Sequence, residues 1–144
     1  MMKTLAVAMF GAALLSAGLV SADGDLSRQP AVELKVMVGA PDGGEYSFAP
    51  KIWNLQTGKL YKVTLANQGQ LKHEWVAPEF TQTVWTRKVQ VGGVEVKGVI
   101  NELELEPGTQ VEWYFVPIRT GEFEMGCEIQ NHREAGMIGK VVVK

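Results

Sequence analysis

Apolar and polar positions alternate with period two along most of the chain from residue 32 onward. Val32, Leu34, Val36 and Val38 interleave with Glu33, Lys35 and Met37, the pattern of a half-buried strand. Tyr46 to Pro50 and Ile52 to Leu55 form an extended stretch broken at Pro50, and the proline assigns it to a sheet edge or a bulge. Tyr61, Val63 and Leu65 face one way, with Lys62, Thr64 and Ala66 facing the other. A short strand is expected to begin near His73, in Lys72 to Ala77. Later alternations run through Leu103 and Leu105, then Val111, Trp113 and Phe115, then Phe123, Met125 and Cys127. A final strand spans Ile138 to Val143.

Turn-forming residues separate these runs: Pro41-Asp42-Gly43-Gly44, Thr57-Gly58, Asn67-Gln68-Gly69-Gln70, Pro107-Gly108 and Thr120-Gly121. One helix is expected over Glu79 to Lys88, where Phe80, Val84, Trp85 and Lys88 give one apolar side. Gly92-Gly93 ends it, and Val94 to Ile100 reads as a loose strand or loop. Short strands at regular spacing with turns between them predict an all-β sandwich or barrel carrying one short helix in an insertion. Glu102, Glu104 and Glu106 read as a solvated strand face.

The first 22 residues follow a different rule. Met1-Met2-Lys3 is a short positive start, Leu5 to Val20 is apolar and uncharged, and small residues surround Ala22. This is the pattern of a cleavable signal peptide, with cleavage after Ala22. The run is too short and wrongly flanked for a spanning helix. Residues 23–144 then make a single domain, long enough for a core without covalent staples. Without Lys3 it has 13 basic residues against 16 acidic. That mild balance argues against nucleic acid as a partner. Export to a periplasmic or secreted location is expected.

Composition sharpens the chemistry. The chain has one cysteine and two histidines. A lone cysteine in an exported protein has no internal disulfide partner, so it is a buried thiol, an intermolecular link or a metal ligand. Cys127, His132 and Met137 lie at equal intervals on one short loop, and the alternation of Phe123, Met125 and Cys127 turns the cysteine inward. His73 is the remaining histidine. Thiolate, two imidazoles and a thioether form a soft set that suits one copper ion cycling between Cu(I) and Cu(II), with the thioether as weak axial ligand. Zinc prefers a harder or more thiolate-rich tetrahedron. The candidate metal ligands are therefore His73, Cys127, His132 and Met137. Glu74, Glu128 and Asn131 are candidates for a surrounding or substitute role.

Gly126-Cys127 through His132 to Gly136-Met137-Ile138-Gly139, followed by a valine strand, resembles the cupredoxins. Phe48-Ala49-Pro50-Lys51-Ile52 through Gly58, and Asn67 to His73, resemble their N-terminal half. Four residues between cysteine and histidine is the spacing of the azurin, rusticyanin and phytocyanin type rather than the plastocyanin type. The resemblance implies a Greek-key β-sandwich, a type 1 copper centre and one-electron transfer. Two positions depart from the family pattern. Glu74 stands where an asparagine often follows the first histidine and hydrogen-bonds toward the sulfur, and an ionised carboxylate cannot donate. Asn131 replaces the usual proline before the second histidine.

The function expected is periplasmic electron transfer. The alternative is copper handling in resistance, as a scavenger or chaperone. A metal-free β adaptor with Cys127 as a partner-linking thiol is a third possibility. No catalytic pair is visible, so no enzyme is expected. The expected state is a monomer without a membrane span. Its partner would be a redox protein, such as a cytochrome or copper oxidase, docking near His132, where Ala135 and Ile138 frame a small apolar patch and Arg133 and nearby glutamates steer.

Overall fold

The computed structural model describes residues 24–39 and 43–144. The expected signal peptide and its cleavage point lie outside the described residues, as do Pro41 and Asp42 of the first turn. Eleven strands are described: β1 (Val32–Val38), β2 (Phe48–Ala49), β3 (Ile52–Leu55), β4 (Tyr61–Asn67), β5 (His73–Val76), β6 (Val84–Val91), β7 (Val94–Val96), β8 (Glu102–Leu105), β9 (Gln110–Pro117), β10 (Gly121–Gly126) and β11 (Ile138–Val143). Among the described residues one α-helix, α1 (Pro78–Thr81), lies between β5 and β6, and a single 3-10 turn spans Leu26–Arg28.

The strands form two mixed sheets. One has the order β2-β1-β4-β9-β6-β7 and the other β3-β11-β10-β5-β8. The all-β fold expected from the alternation is what forms, with one short helix. The alternating faces do what period two requires: in β4, Tyr61, Val63, Leu65 and Asn67 are buried while Lys62, Thr64 and Ala66 are half-buried. Both sheets contribute to one core, Val36, Val63 and Trp113 from the first and Trp53, Trp75, Phe123 and Val141 from the second. Pro50 follows β2 and precedes β3, each at the edge of its sheet, where a missing N–H costs no ladder bond.

The helix expected over Glu79 to Lys88 is corrected. Only Pro78–Thr81 is helical, and Val84–Val91 is a strand paired with β9. Pro78 suits a first helical position. The helix ends where the Thr83 hydroxyl donates to the Phe80 carbonyl at 2.7 Å and the Thr83 amide bonds the same oxygen at 2.8 Å. Beyond that point Thr83, Val84 and Thr86 are β-branched, and a free edge of β9 offers a full ladder. Gly92-Gly93 is not a helix stop but a two-residue hairpin turn joining Val91 to its partner Val94, with Gly92 at φ +55°.

Candidate metal centre

Cys127 directly follows β10, whose inward residues Phe123 and Met125 are buried. The cysteine continues that inward face and is fully buried. The chain then turns out and back through a tight loop. The His132 amide donates to the Ile129 carbonyl at 3.0 Å, the Ala135 amide to Asn131, and the Met137 amide to the His132 carbonyl at 3.0 Å. The Cys127 amide closes the loop on the Met137 carbonyl at 3.1 Å. Backbone bonds thus hold cysteine, histidine and methionine together before any metal is considered.

His73 opens β5, with its ring fully buried. Its Nδ1 lies 3.3 Å from Nδ1 of His132, and that atom lies 3.3 Å from the Cys127 sulfur. One donor atom from each of His73, Cys127 and His132 falls within 4.8 Å of the other two. Three side chains from two distant segments therefore converge at one end of the core. His132 is 7 % exposed, and the Tyr46 ring meets it edge-on at 4.9 Å between centroids.

The remaining candidates are placed as follows. Met137 is fully buried and belongs to the same core cluster. The Glu74 carboxylate groups with those of Glu102 and Glu104, on the opposite face of β5 from His73. Its backbone is what meets the site: the Glu74 amide donates to the Cys127 sulfur at 3.3 Å. An amide thus makes the kind of bond that its side chain cannot. Glu128 pairs with Arg133 at 2.8 Å. Arg133 also pairs with Glu124, so its charge is engaged within the chain. Asn131 is exposed and takes φ +69°.

Burial favours the neutral form of both loop donors. Burial pushes the Cys127 thiol up, against amide bonds from Glu74 and Ile129 that favour the thiolate. Burial, and then the neighbouring His73, push the His132 ring below its ordinary value, leaving a neutral imidazole with a lone pair to share. Two imidazoles and one sulfur, dry and converging, fit a soft metal ion that prefers nitrogen and thiolate. No sequence pattern pointed to Glu45. Its Oε1 lies 3.0 Å from Nε2 of His73, on the far side of the ring from the cluster. The nearest signal is an acidic residue directly after a glycine pair, which does not say where that turn will fold.

No protein-family model matches the chain. It is 28 % identical over 106 residues to the copper-resistant cuproprotein CopI of Rubrivivax gelatinosus, a match over 67 % of this chain that spans 59 % of that protein. Among solved structures, auracyanin B superposes with a TM-score of 0.54 and 20 % identity, over 81 % of this chain and 91 % of that one. The auracyanin of Roseiflexus castenholzii gives 0.55 and 18 %, over 80 % and 99 %. The McoA multicopper oxidase of Aquifex aeolicus gives 0.61 and 12 %, over 79 % of this chain but 29 % of the oxidase. The resemblance carried by the loop around Cys127, by Phe48 through Gly58 and by Asn67 to His73 is borne out at the level of architecture: the chain has the cupredoxin fold.

Proposed function

We propose that this chain is a copper-binding electron carrier of an exported compartment, with His73, Cys127, His132 and Met137 holding a single ion. The observation that carries this is the convergence of three buried soft donors within 4.8 Å. A copper ion bound there supplies one-electron redox chemistry. The chain's part is to hold the donors still and dry. Cys127 is fixed at the end of β10 by its amide bond to Met137, His73 by β5, and His132 and Met137 by the backbone bonds of their loop. Rigidity of this kind keeps a ligand set acceptable to both oxidation states.

A redox partner, such as a cytochrome or a copper oxidase, would dock where His132 comes nearest the surface. Tyr46, Ala135 and Ile138 are exposed around that loop. The test is copper loading of residues 23–144, followed by absorption and EPR spectroscopy. An intense thiolate-to-copper band is expected, and Cys127→Ser should abolish it. A loaded protein lacking that band would overturn the reading.

A second reading has its own support in the likeness to a copper-resistance protein. Copper handling would use the same donors with slow redox cycling. Rapid, reversible voltammetry with no transfer of copper to an acceptor favours the carrier, and slow cycling with transfer favours copper handling.

A further inference from the structure

Glu45 sits in the segment between β1 and β2 and reaches the amides at the head of β5. Its carboxylate accepts from the Gln70 amide at 2.9 and 3.0 Å and from the Leu71 amide at 2.8 Å. The same Oε1 that takes the Leu71 amide lies 3.0 Å from Nε2 of His73. An ionised carboxylate only accepts, so the proton of this bond belongs to the imidazole. In the neutral ring Nε2 is then the protonated nitrogen, and Nδ1, facing His132 and Cys127, carries the lone pair.

The surroundings keep this arrangement closed. A side chain at Gly39 would come within 2.6 Å of His73 Nε2, and Gly39 has φ +63°. A side chain at Gly69 would collide with the Glu45 carboxylate and come within 2.8 Å of the Gly39 carbonyl. Two positions without a Cβ thus frame one carboxylate, and each extra atom would push it or the ring aside.

We propose that Glu45 is the positioning residue of His73: it selects the Nε2–H tautomer, aims Nδ1 into the donor cluster, and makes that nitrogen a stronger donor toward the more highly charged state of a bound ion. A carboxylate behind an imidazole raises its basicity, and losing such a partner typically costs about 10–100-fold in metal affinity. The gain in donor strength is larger for Cu(II) than for Cu(I). Glu45 therefore lowers the reduction potential of the centre.

The effect on a potential presupposes the copper site proposed above, whereas the effect on the tautomer does not. The first measurement is nitrogen-15 NMR of the metal-free, reduced protein. His73 is expected as the Nε2–H tautomer, with a mixed population in Glu45→Ala. A wild-type His73 protonated on Nδ1 overturns the assignment. The second is voltammetry of the copper-loaded protein and of Glu45→Gln, which keeps an acceptor in place but removes the charge. A tenfold loss of preference for Cu(II) over Cu(I) raises the potential by about 59 mV for one electron. A carboxylate that only braces the fold would lower the melting temperature and leave the potential where it was, and that result overturns the tuning role. If neither protein takes up copper, the electron-carrier reading fails, and the NMR result alone decides for or against Glu45.

Discussion

Asn131 has positive φ, at 69°, in the residue that launches the ring of His132 into the core. Asparagine is enriched in this left-handed region, which most side chains avoid. Proline, the residue that the family resemblance leads one to expect there, is locked near φ −65° and cannot follow this path. The departure noted in the sequence thus belongs to the geometry of this loop. Asn131→Pro should destabilise the metal-free protein by roughly 2 kcal/mol, while Asn131→Gly should be close to neutral. Chemical denaturation of the two variants checks this, and equal stability of both would contradict it. At the same scale, alternation in β10 made the inward aim of Cys127 legible from sequence. The sulfur's amide partner was not legible, because Glu74 is 53 residues away.

Strands β5 and β8 pair antiparallel, with Glu74 opposite Glu104 and Val76 opposite Glu102. The ladder therefore stacks like charges on its outer face, relieved in part by Lys72, which pairs with Glu104 at 2.8 Å. Burial, and then Glu102 and Glu104, raise Glu74 above its ordinary value of 4.5. In the window just above 4.5 the folded chain binds more protons at this site than the unfolded chain does. Stability from this group is thus greatest below 4.5 and falls as pH rises through the folded-state value. Glu74→Gln removes the penalty. Its melting temperature should exceed the wild type's at pH 7 and converge with it near pH 4, measured by calorimetry without metal. A gap that stays constant with pH would show that ionisation of Glu74 is not its cause. Charge alternation in the sequence predicted the solvated face of β8 but not which strand would lie beside it.

Across the whole molecule, the aromatic core ties the short helix to both sheets. Phe80, on α1, packs against Trp75 and Phe123 of one sheet and Trp113 and Phe115 of the other, with centroids between 5.6 and 6.2 Å. Trp75 also stacks on Trp53 at 5.2 Å, and its indole N–H meets the Met125 sulfur at 3.2 Å. Trp75 lies two residues from His73, and Met125 two from Cys127, so the packing that stabilises the sandwich also immobilises the two segments that carry these candidate ligands. Phe80→Ala should cost about 3–5 kcal/mol, read from urea denaturation. A loss below about 1 kcal/mol would mean that the core closes over the vacated space. The expected ten-residue helix failed at this scale. Phe80 and Val84 are both apolar and four apart, yet one plugs the core from a single helical turn and the other begins a strand paired with Pro117.

The sequence by itself determined the all-β class, most strand positions, the inward face of Cys127 and the list of soft donors. These depend on alternation, turn chemistry and residue inventory, all of which are local. Tertiary structure alone decided that His73 meets His132 across 59 positions, that an amide rather than a side chain of Glu74 reaches the sulfur, and that Glu45 stands behind His73. It also decided that Val84–Val91 becomes a strand, because the open edge of β9 supplies ladder bonds that no local pattern encodes. Contacts of this kind are set by how the sheets stack, and stacking is a property of the assembled core rather than of any one segment.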